Sequence, residues 1–320
     1  MTKGMSYFRN FTLSLLIVWA LMVFLMGSSS QAAKQQLLFK KYTNLKLGFT
    51  TQNFIKSLPV TLENEKTLID YASDKGFSWI ELRDPSAVLT LDECREIADY
   101  ARRKKIEVGY AIQKGLLDNE FWEIFSRAVK NAAVFEGPKT IRSLGCGPEF
   151  FADKNKKGWT VSELNKAIEI ANKAAKKAKE FGLQYVAENA LEVLKGDGIR
   201  YFGITEFFAN VNPNVGWQFD TANFFSAARV WTKPKDARTF LEKNIGKMFY
   251  IHLKTSRDRK AQPFLSDNEL DFDVIFSTMS KHNVSYIAIE LVALENVDEM
   301  YKNHDRSIEY LKTRGFISVY

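Results

Sequence analysis

Residues 184–190 read QYVAENA, 216–225 GWQFDTANFF, 248–256 MFYIHLKTS and 285–293 SYIAIELVA. Each is a short, largely apolar run with β-branched or aromatic residues, as in a buried strand. Each also ends on a group that can bind a cation: Glu188, Asp220, His252 or Glu290. The intervals between these groups are 32 (188 to 220), 32 (220 to 252) and 38 residues (252 to 290). A parallel strand with its return helix takes about 30 residues or more. The same kind of side chain therefore recurs at the same place in four successive β/α units.

Working back towards the N-terminus, runs at 45–50, 78–83, 106–110 and 140–144 have the same character, giving eight expected strands with 184–188, 216–220, 248–254 and 285–291. Helix signals lie between them. Thr90 with Glu93 and Thr160 with Glu163 read as capping boxes, the first opening a helix to about Lys104 and the second a long helix ending at Gly182. Gly76 and Gly246 stand where helices should hand over to strands, and a last helix is expected over 297–313 with Gly315 beyond it. Residues 145–159, with Phe150 and Phe151, read as a loop insertion. No strand is followed by a glycine-rich nucleotide fingerprint. The expectation is an α/β protein, a single (β/α)8 TIM barrel, for which about 250 residues is typical.

In such a barrel, catalytic residues come from the C-terminal ends of the strands. Three carboxylates desolvated around one cavity repel one another and lose their ionised form unless a cation meets them. A divalent ion resolves both problems. Three oxygen ligands and one imidazole suit Mn2+, Zn2+, Co2+ or Mg2+. The chain has three histidines in all, and His252 is the one on a strand end.

The ordered set AEN, FDTAN, IHLK and IEL, with GFSWIELRD and its Glu81 earlier in the chain, resembles the xylose isomerase-like TIM-barrel superfamily, the sugar phosphate isomerase/epimerase and endonuclease IV group. The resemblance runs from about residue 45 to 312. It implies one divalent metal ion on Glu188, Asp220, His252 and Glu290, with Glu188 and Glu290 as an acid/base pair. Asn223 stands where some ketose epimerases of the group have histidine, and Thr255 replaces the usual aspartate after HLK. The implied chemistry is proton abstraction next to a carbonyl through an enediolate, so isomerisation or epimerisation. A lyase or hydratase acting on keto-sugars or 3-keto-glycosides would use the same site, and a sugar-binding barrel without turnover is the non-enzymatic alternative. Three histidines are too few for the metal cluster of an endonuclease IV-type nuclease.

Substrate-binding candidates follow from position. Lys254 shares the face of His252, two residues on, and Glu81 shares a face with Arg83, which suggests an internal ion pair. Asn189 and Asn223 can donate to ligands or sugar hydroxyls, and Arg142 is a candidate for the mouth. Trp217 and Phe224, together with Phe54 and Phe225, are candidates to stack on a sugar ring. The expected partner is a small sugar or glycoside, and the family often forms homo-oligomers.

Residues 1–32 stand apart. Lys3 and Arg9 precede the apolar run 11–26, and small residues follow it at 27–33. This is the order of a signal peptide removed on export to the periplasm or medium, leaving 33–320 as the barrel; retained, the run would be a membrane anchor. After cleavage no stable membrane partner is expected. Loss of Lys3 and Arg9 takes the net charge from +7 to +5. That excess is spread along helix faces, so no nucleic-acid partner is expected. Cys94 and Cys146 are the two cysteines, read as buried thiols.

Overall fold

The computed structural model describes residues 35–147, 158–189, 203–226 and 233–320. The expected signal peptide and the Phe150 and Phe151 part of the expected insertion lie outside the described residues. Among the described residues, no helix is long and apolar enough to cross a membrane.

Eight parallel strands close a barrel: β2 (Lys46–Thr50), β3 (Trp79–Arg83), β4 (Glu107–Gly115), β5 (Thr140–Leu144), β6 (Gln184–Glu188), β7 (Gly216–Asp220), β8 (Met248–Leu253) and β11 (Tyr286–Ile289). Each pairs with the next, and β11 returns to β2 with Tyr286 opposite Lys46. Four short strands lie outside this scheme and were not expected. β1 (Leu37–Phe39) and β12 (Ile317–Val319) pair antiparallel as a clasp below β2. β9 (Ser256–Arg257) and β10 (Lys260–Ala261) form a small hairpin directly after β8.

The helices that wrap the barrel are α1 (Leu62–Lys75), α2 (Leu91–Lys104), α3 (Phe121–Ala133), α4 (Val161–Lys179), α5 (Ile204–Asn210), α6 (Asn223–Ser226), α7 (Pro234–Asn244), α8 (Phe272–Lys281) and α9 (Val297–Thr313). Both expected capping boxes form, at Thr90 with Glu93 and at Thr160 with Glu163; such caps contribute about 1 kcal/mol each. Gly76 ends α1 in the left-handed region that favours glycine, at φ 81°. Gly246 does not end a helix in this way; it lies inside a 3-10 turn, Ile245–Lys247.

Strand alternation sorts the side chains into two layers. Outward residues such as Leu47, Ile80, Ile251 and Ile287 join the helices in one continuous apolar core. The inward residues stack in tiers. Lys46, Glu107 and Tyr286 form the lowest, with Lys46 Nζ and Tyr286 Oη donating to Glu107 at 2.6 Å each. Trp79, Val186, Tyr250 and Ala288 fill the middle. Gly48 makes room for Trp79: a Cβ there would lie 2.2 Å from the Trp79 carbonyl oxygen and 2.5 Å from its ring. With the middle sealed, the top tier at the C-terminal strand ends is left for polar groups. Cys94 and Cys146 are buried and are not joined by a disulfide.

Candidate metal centre

Glu188, Asp220, His252 and Glu290 come together at the C-terminal ends of β6, β7, β8 and β11. One donor atom from each lies within 4.8 Å of all the others, and all four residues are buried. Each also carries a buried atom with no hydrogen-bond partner: Glu188 Oε2, Asp220 Oδ2, His252 Nδ1 and Glu290 Oε2. His252 Nδ1 and Glu290 Oε2 are 2.6 Å apart but out of line for a hydrogen bond. Glu188 Oε2 is similarly placed, 2.7 Å from Arg142 Nη1. Buried polar atoms rarely stay unpaired. Four of them converging from four strands, three carboxylate oxygens and an imidazole nitrogen, fit a divalent cation.

The remaining atoms of the ligand side chains are fixed. Asp220 Oδ1 accepts from the backbone N–H groups of Ala222 and Asn223, both at 2.8 Å, which caps the short α6 and turns Oδ2 towards the cluster. Glu290 Oε1 accepts from Lys254 Nζ at 2.7 Å, and Glu188 Oε1 from Asn223 Nδ2 at 3.3 Å. His252 Nε2 lies 3.1 Å from Glu81 Oε2, the orientation in which Nε2–H donates and Nδ1 is left as the ligand atom.

Residues 69–314 match the family model described as xylose isomerase-like TIM barrel. The chain belongs to that family. No curated protein matches the sequence. Solved structures agree with the family fold. A D-psicose 3-epimerase from Clostridium cellulolyticum H10, solved with D-tagatose, covers 84% of this chain and 98% of its own at TM-score 0.58 and 14% identity. A xylose isomerase-like TIM barrel protein from Mycobacterium smegmatis, in complex with magnesium, covers 84% and 97% at TM-score 0.61 and 14% identity. An L-ribulose 3-epimerase covers 85% and 93% at TM-score 0.61 and 16% identity. Likeness at such identities establishes the fold.

Within this member of the family, the supporting residues divide into two groups. Lys254 lies at the cluster, with Nζ also 3.7 Å from Asp220 Oδ2. Arg142 is fully buried and held by carboxylates, Glu81 at 3.2 Å and Glu188 at 2.7 Å, which sets it beneath the cluster. Asn223 spends its amide on Glu188 and on the Asn189 carbonyl. Asn189 brackets Asp220, donating to its carbonyl at 3.0 Å and accepting from its N–H at 2.6 Å. The second group is a correction. Trp217 and Phe224, expected against a sugar ring, pack in the layer between strands and helices. Trp217 stacks on Phe240 of α7 at 4.8 Å, and Phe224 meets Phe219 and Phe240 at 5.2 and 4.9 Å. Phe54 is likewise buried in the outer core, against Phe49 and His304.

Two further side chains brace the strand ends and escaped the sequence reading. Asn53 donates to the Ile289 carbonyl at 3.0 Å and accepts from the Leu291 N–H at 2.8 Å, so it grips the backbone on both sides of Glu290. Thr221 Oγ1 does the same for Lys254, donating to its carbonyl at 2.7 Å and accepting from its N–H at 3.0 Å. Asparagine and threonine just past a strand end are the only trace either leaves in the sequence.

Charge explains the rest of the site. Burial opposes ionisation of Glu81, but His252, Arg142 and Arg83 override it and hold the carboxyl well below the usual range. Burial alone would lower His252; Glu81 and Glu290 reverse that and push it up to about 10. Burial raises Asp220 to about 6, with Lys254 opposing and Glu290 and Glu188 adding to the rise.

Proposed function

We propose that this protein is a divalent-metal-dependent sugar isomerase or epimerase, with Glu188, Asp220, His252 and Glu290 as metal ligands and Glu188 and Glu290 as the acid/base pair. The observation that carries this reading is the convergence of four unpaired donor atoms from four successive strand ends. The named 3-epimerases among the structural relatives support a sugar as substrate. When bound, a divalent metal supplies Lewis acidity to a carbonyl oxygen and its neighbouring hydroxyl. Glu188 and Glu290, on strands separated by β7 and β8, address that substrate from two sides, one removing the proton next to the carbonyl and the other delivering it. Lys254 Nζ places a fixed positive charge beside Glu290, where it helps hold a substrate oxygen as negative charge grows. Asn53, Asn189 and Thr221 keep Glu290, Asp220 and Lys254 from drifting out of register.

The test is proton NMR in D2O of the Mn2+-loaded protein with free ketoses and 3-keto-glycosides. Deuterium entering next to the carbonyl, with a rearranged sugar, is the expected result, and an eliminated product would assign the chemistry to a lyase. Glu188→Gln and Glu290→Gln should each lower exchange by about 10²- to 10⁴-fold. Full exchange in both variants overturns the assignment. We further propose export, on the charged, apolar and small-residue order of residues 1–33; a purified native chain that retains Met1 would contradict cleavage.

A further inference from the structure

Arg83 ends β3 two residues after Glu81 and on the same inward face. Its side chain is 3% exposed. A guanidinium carries five N–H donors, yet that of Arg83 makes no hydrogen bond to any described residue. Glu81 Oε1 and Glu290 Oε2 are the carboxylate oxygens beside it, each at 3.6 Å, and Nε is buried without a partner. Arg142 also has a buried Nε without a partner, but unlike Arg83 it donates, to Glu81 Oε1 at 3.2 Å and to the Ile112 carbonyl at 3.4 Å. A buried donor left unpaired is costly, and Nη2 of the Arg83 guanidinium lies 3.6 Å from Oε2 of Glu290, one of the candidate metal ligands.

The charge of the pocket points the same way. Among the described residues, four carboxylates (Glu81, Glu188, Asp220, Glu290) meet three cations (Arg83, Arg142, Lys254). A divalent ion with a neutral His252 leaves one positive charge in excess, so the pocket is matched to a monoanion. A phosphate monoester brings about 1.5 to 2 negative charges at neutral pH, whereas a carboxylate brings one and fits the guanidinium fork with two oxygens.

We infer that Arg83 binds a carboxylate of the substrate, so that the substrate is an acidic sugar, a keto-aldonate or keto-uronate, whose carboxylate lies beside Glu290. The reaction on that acid rests on the isomerase/epimerase reading; its binding does not. The test uses one parent and its acids: D-fructose, 2-keto-D-gluconate with the carboxylate at carbon 1, D-fructuronate with it at carbon 6, and D-fructose 6-phosphate. Calorimetric affinities for the full Mn2+-loaded protein should favour one of the two acids over D-fructose by about 10- to 100-fold, the worth of a charge-assisted pair. Arg83→Gln should remove that preference and Arg83→Lys recover part of it, with metal content and thermal melting measured in both. Should Arg83→Gln fail to fold, the wild-type preference and the Arg83→Lys loss decide. Equal affinity for D-fructose and both acids, preference for the phosphate, or an acid preference unchanged in Arg83→Lys and Arg83→Gln overturns the inference. Deuterium exchange on the same samples is a separate readout. Arg83-dependent acid binding without any exchange supports this inference and sinks the proton-transfer reading, and exchange on D-fructose without acid preference does the reverse.

Discussion

Replacing Glu81 by glutamine should damage both stability and metal binding, for a reason visible in its four contacts. Glu81 Oε1 accepts from Thr50 Oγ1 at 2.9 Å and from Arg142 Nη2 at 3.2 Å. Oε2 accepts from Tyr250 Oη and faces His252 Nε2 at 3.1 Å. Glutamine offers one oxygen and one NH2, so in either orientation its NH2 is pressed against a fixed donor, Arg142 Nη2 or His252 Nε2–H. The negative charge that Arg142 and Arg83 share is lost as well. Two charge-assisted hydrogen bonds at about 1.5–3 kcal/mol each, and a buried ion pair whose disruption costs about 3–5 kcal/mol, describe overlapping contacts. The net loss should therefore be roughly 3–5 kcal/mol. Urea unfolding at pH 7 would read it as a lower midpoint at unchanged slope. Freed from Glu81, the His252 ring also loses the bond that leaves Nδ1 available, so Mn2+ affinity by calorimetry should fall about 10- to 100-fold. Wild-type midpoint together with wild-type metal affinity would refute the reasoning. So would a stability loss with no change in metal affinity, since it would deny Glu81 its hold on His252.

Three other expectations are independent of this one. Glu65 on α1 is fully buried, and burial, with Asp84 nearby, raises its carboxyl to about 8. The folded protein then binds a proton that the unfolded chain releases near 4.5, so Glu65 should draw stability down by at most about 1.4 kcal/mol per unit as pH rises from 4.5 to 8. Glu65→Gln should flatten that part of the stability curve and be the more stable protein above pH 8. Trp217→Ala should cost about 3–5 kcal/mol in urea unfolding while leaving metal affinity at wild type; a selective loss of sugar affinity in the folded variant would return Trp217 to the site. Asn53→Ala leaves the Ile289 carbonyl and Leu291 N–H unpaired, and should lower stability by about 1–3 kcal/mol and reduce Mn2+ affinity, because Glu290 loses its brace.

The barrel strands were legible because each is a short apolar run flanked by turn or helix signals. Residues 140–144, 184–188 and 216–220 are found at the expected bounds. β4 continues to Gly115 past the expected Tyr110, and an irregular register against β5 accompanies the extension. The three-residue strands of the clasp and the two-residue strands after β8 are too short to carry a periodic signal, and partners from far away in sequence create them. The convergence of the four candidate ligands could be anticipated because a charged group ending an apolar strand conflicts with burial. Trp217 and Phe224 pack against Phe240 of α7, away from the cluster. The alternation that places Lys254 beside His252 also places Trp217 opposite Asp220, towards the helices. Asn53 was beyond reach, since only the closed barrel brings it against β11.

Closure also sets an order on folding. β2 meets β11 through Lys46 and Tyr286, which are 240 residues apart, and β1 waits for β12 at the far end of the chain. As the chain is made, β2 therefore keeps a bare edge until nearly the last strand has appeared, and Glu290 arrives only with that strand. Long-range pairings of this kind pay their loop entropy before any contact repays it and form slowly. A nascent chain of this topology remains open for most of its synthesis, a condition that suits threading through a translocation channel and exposes it to strand-to-strand aggregation where no such route is taken.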